Sequence, residues 1–153
     1  MQYLKKMNEN EFNEYLLDKE KRFAETLAEH TFEVDTESAE VRAKKQLQGY
    51  LPNGFYTEQH EFFNIMMHDE QCGYVWIKVN ESKKSAFLYE IYIVDEFRSN
   101  GIGTKVMEDI EEYLSKNEIL FFKLHVFGTN HKAIKLYETL GFQIAGINMY
   151  KNL

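Results

Sequence analysis

The spacing of apolar residues along the chain changes period several times, and each change marks a predicted element. Tyr3 and Leu4 indicate a short first strand. A spacing of three and four residues then predicts two amphipathic helices before residue 52. Asp35 or Thr36 is the expected cap of the second helix, and Pro52-Asn53-Gly54 ends it. The apolar positions of the two helices are Phe12, Tyr15, Leu16, Phe23 and Leu27, then Ala39, Ala43, Leu47, Tyr50 and Leu51.

The middle of the chain has the composition of β-strands. Residues 62–67, 72–79 and 86–94 are rich in β-branched and aromatic side chains, and only short polar breaks separate them. Short connections of this kind predict three antiparallel strands in sequence.

Helical spacing returns after Gly103, and the C-terminal part alternates again. The third predicted helix is long enough to bring residues 119–127 back as a strand parallel to 86–94. A fourth helix is expected over 130–140, ended by Gly141, and two short strands over 142–145 and 148–151 complete the predicted order.

One turn in this order has features of a phosphate site. Arg98-Ser99-Asn100-Gly101-Ile102-Gly103-Thr104 joins the strand 86–94 to the third helix. Glycines let a phosphate approach the unpaired N–H groups at a helix start, where the helix dipole favours an anion. Arg98 is suited to pairing with pyrophosphate, and Thr104 adds a hydroxyl. The alternative is a turn that only caps the helix. The lysine of a P-loop and the third small residue of a dinucleotide fingerprint are missing.

A second motif follows this turn in the C-terminal part of the chain. The Arg-x-x-Gly-x-Gly turn is followed by Asn130, Ala133, Tyr137 and Gly141-Phe142. Together they resemble the GNAT superfamily of acetyl-CoA-dependent N-acetyltransferases, over residues 87–142. Two motifs at the right separation are far more specific than either one.

The resemblance implies a fold, a cofactor and sites that bind it. The expected fold is α+β in three layers, with a mixed, mostly antiparallel sheet of six to seven strands and about four flanking helices. The strand pair ending at Val94 and at residue 127 would splay apart around the pantetheine arm of acetyl-CoA. Backbone groups of Ile93 and Val94 would hold that arm, with Asn130 and Ala133 beside it.

Three residues are candidates for the chemistry. In the family pattern, Tyr137 protonates the leaving thiolate, a role that suits a phenol, although its apolar neighbours would also bury a purely structural tyrosine. Glu90 is the single charge in a nine-residue apolar run, and His125 lies in the next strand. Either could accept the proton of the amine, and the sequence does not choose between them.

Length, charge and cysteine count limit the classes of protein to which this chain can belong. The 153 residues, 44% of them hydrophobic, fit one domain spanning 1–153. A net charge of −7 disfavours nucleic acid and mildly favours cationic amines. Cys72 is the single cysteine, so neither an internal disulfide nor a metal site is expected. With no signal-peptide or membrane pattern in the sequence, we expect a cytoplasmic enzyme.

The function expected is therefore acetyl transfer to a primary amine, on a small molecule or a protein N-terminus, by direct attack on acetyl-CoA. The alternative is an acyl-CoA-binding sensor with little catalysis. A homodimer is the expected assembly, because exposed sheet edges often pair.

Overall fold

A computed structural model describes all residues from 1 to 153, with five strands and four α-helices. The strands are β1 (Leu4–Lys6), β2 (His60–Met67), β3 (Glu70–Asn80), β4 (Ser85–Ile93) and β5 (Phe121–Leu124). The helices are α1 (Glu9–His30), α2 (Ala39–Tyr50), α3 (Ile102–Lys116) and α4 (His131–Thr139). Each of these elements was predicted, with ends that differ by a few residues.

The five strands form one sheet in the order β1-β2-β3-β4-β5. Neighbours from β1 to β4 are antiparallel, whereas β4 and β5 are parallel. This confirms the predicted run of antiparallel strands and the crossover through α3.

Apolar side chains fill the space on both faces of the sheet. One face packs against α3, whose Val106, Met107 and Ile110 are completely buried against sheet residues. The other face packs against α1 and α2 through an aromatic cluster that includes Phe12, Tyr15, Phe62 and Trp76. The result is the predicted arrangement in three layers.

A β-bulge interrupts β4 at Tyr89. Trp76 pairs with Glu90 and Ile77 pairs with Leu88, which leaves Tyr89 without a partner in the ladder. Tyr89 stacks on Trp76 with ring centroids 4.4 Å apart, and Glu90 contacts α1. The bulge thus places two successive side chains on the face that α1 and α2 cover.

Two predictions about this fold were wrong. Residues 142–153 form no strand, so the sheet has five strands rather than six or seven. A strand needs a hydrogen-bonded neighbour as well as a suitable sequence, and this segment has none within the chain. The cap of α2 is Ser38, whose hydroxyl accepts from Val41 N–H at 3.2 Å, while Asp35 accepts from Glu37 N–H outside the helix.

None of the helices is both long and apolar enough to cross a membrane.

Candidate active site

The pairing of β4 and β5 ends before β4 does, and the gap left between the two strands is the cleft. Their pairing ends at Leu88 and Leu124, but β4 continues to Ile93. Beyond Leu124, the N–H groups of residues 125–127 donate to no protein acceptor. Two parallel strands with unpaired facing backbones form a slot that an extended polar ligand can fill.

Ile93 and Val94 differ in which of their backbone groups are free to bind a ligand in this cleft. Val94 N–H donates to the Cys72 carbonyl at 2.9 Å, and its own carbonyl accepts from Phe97 N–H at 2.9 Å. The N–H of Val94 is therefore used within the protein, and its carbonyl keeps one lone pair for a further donor. Ile93 occupies the position of the β3–β4 ladder whose N–H and carbonyl point away from β3. That carbonyl accepts from Arg98 Nε at 2.7 Å, which leaves the Ile93 N–H for the cleft.

The turn before α3 presents a row of free N–H donors. Ser99 and Gly101 have φ angles of 66° and 72°, and Gly101 caps α3 without any side-chain hydrogen bond. No backbone N–H from Ser99 to Thr104 donates to a protein acceptor. Left-handed residues in such a turn bring successive N–H groups into one concave surface, and the dipole of α3 adds positive potential there. These free donors and this potential are what a phosphate group requires of a binding turn.

The side chains of this turn are less available than its backbone. Arg98 pairs with Asp95 at 2.6 Å in addition to its bond to Ile93, and Asn100 lies 3.4 Å from the Phe97 carbonyl. Arg98 thus fixes the loop to the end of β4. The Thr104 side chain has no hydrogen-bond partner in the protein, so its hydroxyl is free for a ligand.

Gly103 is the point where β4, α3 and α4 approach each other. A Cβ atom there would lie 3.7 Å from Ile93 Cδ1 and 3.9 Å from Leu136 Cδ2, in ordinary van der Waals contact with both. In α4, the Asn130 side chain accepts from Ala133 N–H at 3.2 Å and caps the helix. This bond uses the Asn130 side-chain oxygen and leaves its amide NH2 as a donor.

Tyr137 lies on α4 next to Leu136, half-buried against the core, with its ring 5.7 Å from that of Phe142. Burial raises the pKa of Tyr137 above its usual value of 10.0. The phenol therefore keeps its proton at neutral and mildly alkaline pH, as a general acid must.

Glu90 forms a saturated ion-pair network. Its carboxylate accepts from Arg22 at 2.8 and 3.2 Å, from Lys19 Nζ at 3.1 Å and from Tyr15 Oη at 2.8 Å. Burial, followed by the Glu90 charge, raises the pKa of Tyr15 well above 10. Both oxygens of the carboxylate are thus engaged by donors of the protein itself.

Aromatic rings surround this network. The Arg22 guanidinium lies 3.9 Å from the Tyr92 ring centroid and 5.9 Å from that of Tyr74. Sequence analysis missed Lys19 and Arg22, which look like ordinary charges on the polar face of α1. Only the contact between α1 and β4 shows their role.

His125 projects from the end of β5 toward the face that α1 covers. It is exposed, its ring meets the Phe127 ring edge-on at 4.9 Å, and it has no hydrogen-bond partner. His30, at the end of α1, stacks on the Phe127 ring, with the two ring centroids 4.1 Å apart. The His30 Nδ1–H donates to the Thr26 carbonyl, so Nε2 of the neutral ring accepts from the Thr129 hydroxyl at 3.1 Å. Sequence analysis missed His30.

An open cavity of about 420 Å³ lies between α1, α2 and the loop that joins them. His30, Phe32, Glu33 and Asp35 contribute to its wall, together with Arg42, which pairs with Asp35. Lys45 lines it as well, so the two carboxylates of this cavity face two cations.

Comparison with known proteins identifies the family. The family model described as acetyltransferase (GNAT) family matches residues 15–142. The chain therefore belongs to the GNAT acetyltransferases, and the predicted resemblance is confirmed. It is 28% identical over 150 residues to the uncharacterized N-acetyltransferase YycN of Bacillus subtilis (strain 168), with 96% of each chain covered. The thialysine N-epsilon-acetyltransferase of Mus musculus is 33% identical over 70 residues, 46% of this chain and 41% of that protein.

Solved structures agree with the family assignment. The crystal structure of the putative acetyltransferase YycN from Bacillus subtilis matches with a TM-score of 0.90 at 27% identity, over 98% of this chain and 97% of that one. A putative acetyl transferase from Pyrococcus furiosus matches with a TM-score of 0.69 at 27% identity, over 92% and 95%. The chain is thus an acyltransferase by family and by fold.

Proposed function

We propose that this protein transfers the acetyl group of acetyl-CoA to a primary amine by direct attack, without an acylated enzyme. The observation that carries the proposal is the row of unpaired N–H groups from Ser99 to Thr104 at the start of α3. It lies next to the cleft between β4 and β5, so one ligand with a phosphorylated end and an extended polar arm fits both.

The residues present fit this coenzyme. The turn from Ser99 to Thr104 would hold its pyrophosphate, with the Thr104 hydroxyl as a further donor. The Ile93 N–H would bond an amide of the pantetheine arm, and the Asn130 NH2 would donate from the other side. When bound, acetyl-CoA supplies an activated thioester.

Two side chains of this chain would move the protons. Tyr137 holds its proton through neutral pH because burial raises its pKa, and it would donate that proton to the departing sulfur. His125 is exposed and unpaired on the acceptor side, so it would take one proton from the ammonium, directly or through water, before the neutral amine attacks. The second proton that the nitrogen loses as the amide forms would replace the one that Tyr137 gives to the sulfur. Glu90 would hold α1 against β4 through Arg22 rather than act as the base.

The acceptor would approach over the cavity between α1 and α2. The net charge of −7 attracts a cation toward the protein as a whole. We therefore propose a cationic primary amine as the acceptor, on a small molecule or a peptide.

Binding of acetyl-CoA to the isolated protein, measured by calorimetry, tests the coenzyme site. Gly101→Val replaces a residue with φ 72° in the turn, and Gly54→Val replaces one with φ 56° in the loop after α2, both in open space. We expect Gly101→Val to weaken binding at least tenfold and Gly54→Val to leave it unchanged. Equal affinity of both variants and the native protein would contradict the assignment of the turn.

A further inference from the structure

The open cavity of about 420 Å³ between α1 and α2 holds charges of both signs. Glu33 and Asp35 line it from the loop that joins the helices, and Arg42 and Lys45 line it from α2. A cavity of this size is large enough for a small molecule. Side chains of both signs suit a ligand that itself carries both signs better than they suit a simple cation or a simple anion.

Arg42 has hydrogen-bond donors that the protein does not use. Its side chain is 16% exposed, and its Nη1 donates to the Thr31 hydroxyl at 2.6 Å. Its Nε is buried without a hydrogen-bond partner, because Asp35 Oδ2 lies 3.6 Å away, beyond hydrogen-bond distance. Nη1 is thus the one guanidinium nitrogen with a hydrogen bond in the protein. A buried N–H without an acceptor is unfavourable, so a ligand that accepts from it gains affinity.

The free edge of Arg42, formed by Nε and Nη2, has the shape that a carboxylate fits. Two parallel N–H groups can bind both carboxylate oxygens, which adds geometric specificity to the attraction of charge. Asp35 does not fill this edge, because its Oδ1 accepts from Glu37 N–H at 2.9 Å. Lys45 pairs with Glu37 at 2.6 Å, so Arg42 is the cation of this cavity that keeps free donors.

Glu33 provides the opposite charge on the wall of the same cavity. It is exposed and forms no ion pair, so its carboxylate is free to meet an ammonium group. His30 also lines the cavity and stacks on Phe127, whose ring lies 4.9 Å from that of the candidate base His125. The cavity therefore lies close to the group that would deprotonate the acceptor, with the Phe127 ring between them.

We propose that the acceptor carries a carboxylate as well as its amine, and that Arg42 binds this carboxylate. The ligand is thus a zwitterion of the amino acid class, with an ammonium group beside Glu33. An amino acid with a second amine at the end of its side chain would keep both charged groups in the cavity and extend that amine past Phe127. The inference rests on the proposed acetyl transfer for the fate of this ligand, whereas its binding needs the cavity alone.

Matched pairs of amines test the role of the carboxylate. Lysine and cadaverine, ornithine and putrescine, and alanine and ethylamine differ within each pair by the carboxylate alone. Calorimetry with the native protein in the presence of coenzyme A measures the affinity for each compound. We expect the amino acid of at least one pair to bind at least tenfold more tightly than the simple amine, because it alone can bond to Arg42. Equal affinities within every pair overturn the proposal.

Variants of Arg42 separate recognition of the carboxylate from damage to the loop. Arg42→Gln removes the fork and the charge, whereas Arg42→Lys keeps the charge without the fork. Both should lower the preference for the amino acid to about twofold or less and leave the affinity for the simple amine unchanged. Lys44→Gln, at an exposed cation of α2 outside the cavity, is the matched control and should keep the preference. A preference that survives in Arg42→Gln, or an equal loss for both members of a pair, overturns the assignment.

Turnover with acetyl-CoA distinguishes failure of this inference from failure of the proposed function. In Arg42→Gln, KM for the amino acid should rise at least tenfold with little change in kcat, and KM for the simple amine should stay unchanged. Selective binding of amino acids without release of coenzyme A would contradict acetyl transfer and support the carboxylate site. Release of coenzyme A with the same KM for both members of every pair would support acetyl transfer and overturn the carboxylate site.

Discussion

The Arg22 guanidinium donates two hydrogen bonds to the Glu90 carboxylate, at 2.8 and 3.2 Å, and so joins α1 to β4 beside the cleft. Both side chains are largely buried, with exposed fractions of 18% and 12%. Glu90 is a candidate base on the sequence alone, but in this structure it connects the helical layer of α1 to the sheet.

Replacing Glu90 should therefore affect folding as well as activity. Glu90→Gln leaves Lys19 without its counterion and Arg22 with only the half-exposed Asp18, at 3.0 Å, in a poorly hydrated place. The change should cost about 2 kcal/mol in unfolding free energy. Urea unfolding measures the loss. Glu112→Gln is the control, because it breaks an exposed pair with Lys116 at 3.0 Å and should change little. Unchanged stability of Glu90→Gln with abolished turnover would instead support Glu90 as the base.

His125→Gln should lower kcat at least tenfold without loss of stability, because His125 is exposed and makes no hydrogen bond. The remaining activity should rise toward high pH, where the amine loses its proton without help. The pH profile of kcat measures this effect. His68→Gln, in the exposed turn between β2 and β3, is the control and should keep the native profile. A native profile in His125→Gln would show that another group accepts the proton.

Gly73 permits the close approach of β3 to the end of β4. A Cβ atom at Gly73 would lie 2.0 Å from the Tyr92 carbonyl oxygen, so Gly73→Ala must displace β4 next to Ile93. We expect a loss of about 2 kcal/mol in stability and weaker acetyl-CoA binding. Gly49→Ala, with nothing within 4 Å in α2, should stabilise by about 0.5 kcal/mol. Normal acetyl-CoA binding by Gly73→Ala would show that this end of β4 does not contribute to the coenzyme site.

His60 should make stability depend on pH. Burial, with a smaller contribution from Lys78, lowers the pKa of His60 from 6.5 to about 4, and its Nδ1 accepts from Trp76 Nε1 at 2.9 Å. Between pH 6.5 and 4 the unfolded chain binds the proton and the folded one does not, so stability falls as pH falls through this range.

Since His60 is only partly buried, the effect should be of the order of 1 kcal/mol after solvent screening. Urea unfolding of the native protein and of His60→Gln at pH 7 and pH 4 measures it. The native protein should lose more stability between the two pH values than the variant. Equal losses would show that His60 titrates alike in both states.

Local patterns predicted most of the fold because they carry the information that local structure needs. The spacing of Val106, Met107 and Ile110 identifies the buried side of α3, and Gly101 with Gly103 marks the turn before it. The C-terminal strands were wrong because pairing depends on a neighbour that a local pattern does not specify.

The candidate site could likewise be predicted where it depends on local sequence, and not where it depends on distant contacts. The N–H donors of the turn follow from its glycines, whereas the partners of Glu90 do not. Arg22 and Glu90 are 68 positions apart, and on the sequence Arg22 is one of several cations on the polar face of α1. The cap of α2 was missed for a similar reason, because Asp35, Thr36 and Ser38 all suit a cap and tertiary contacts decide among them.

Release of free coenzyme A from acetyl-CoA in the presence of a panel of primary amines tests the central claim most directly. The native protein should turn over at least one cationic amine, and Tyr137→Phe should lower kcat by about a hundredfold with little change in the affinity for acetyl-CoA. Tyr56→Phe, an exposed phenol distant from the cleft, should leave kcat unchanged. Tight binding of acetyl-CoA with no turnover on any amine would contradict the proposed activity and favour an acyl-CoA sensor. Full activity of Tyr137→Phe would contradict the mechanism and show that another group acts as the acid.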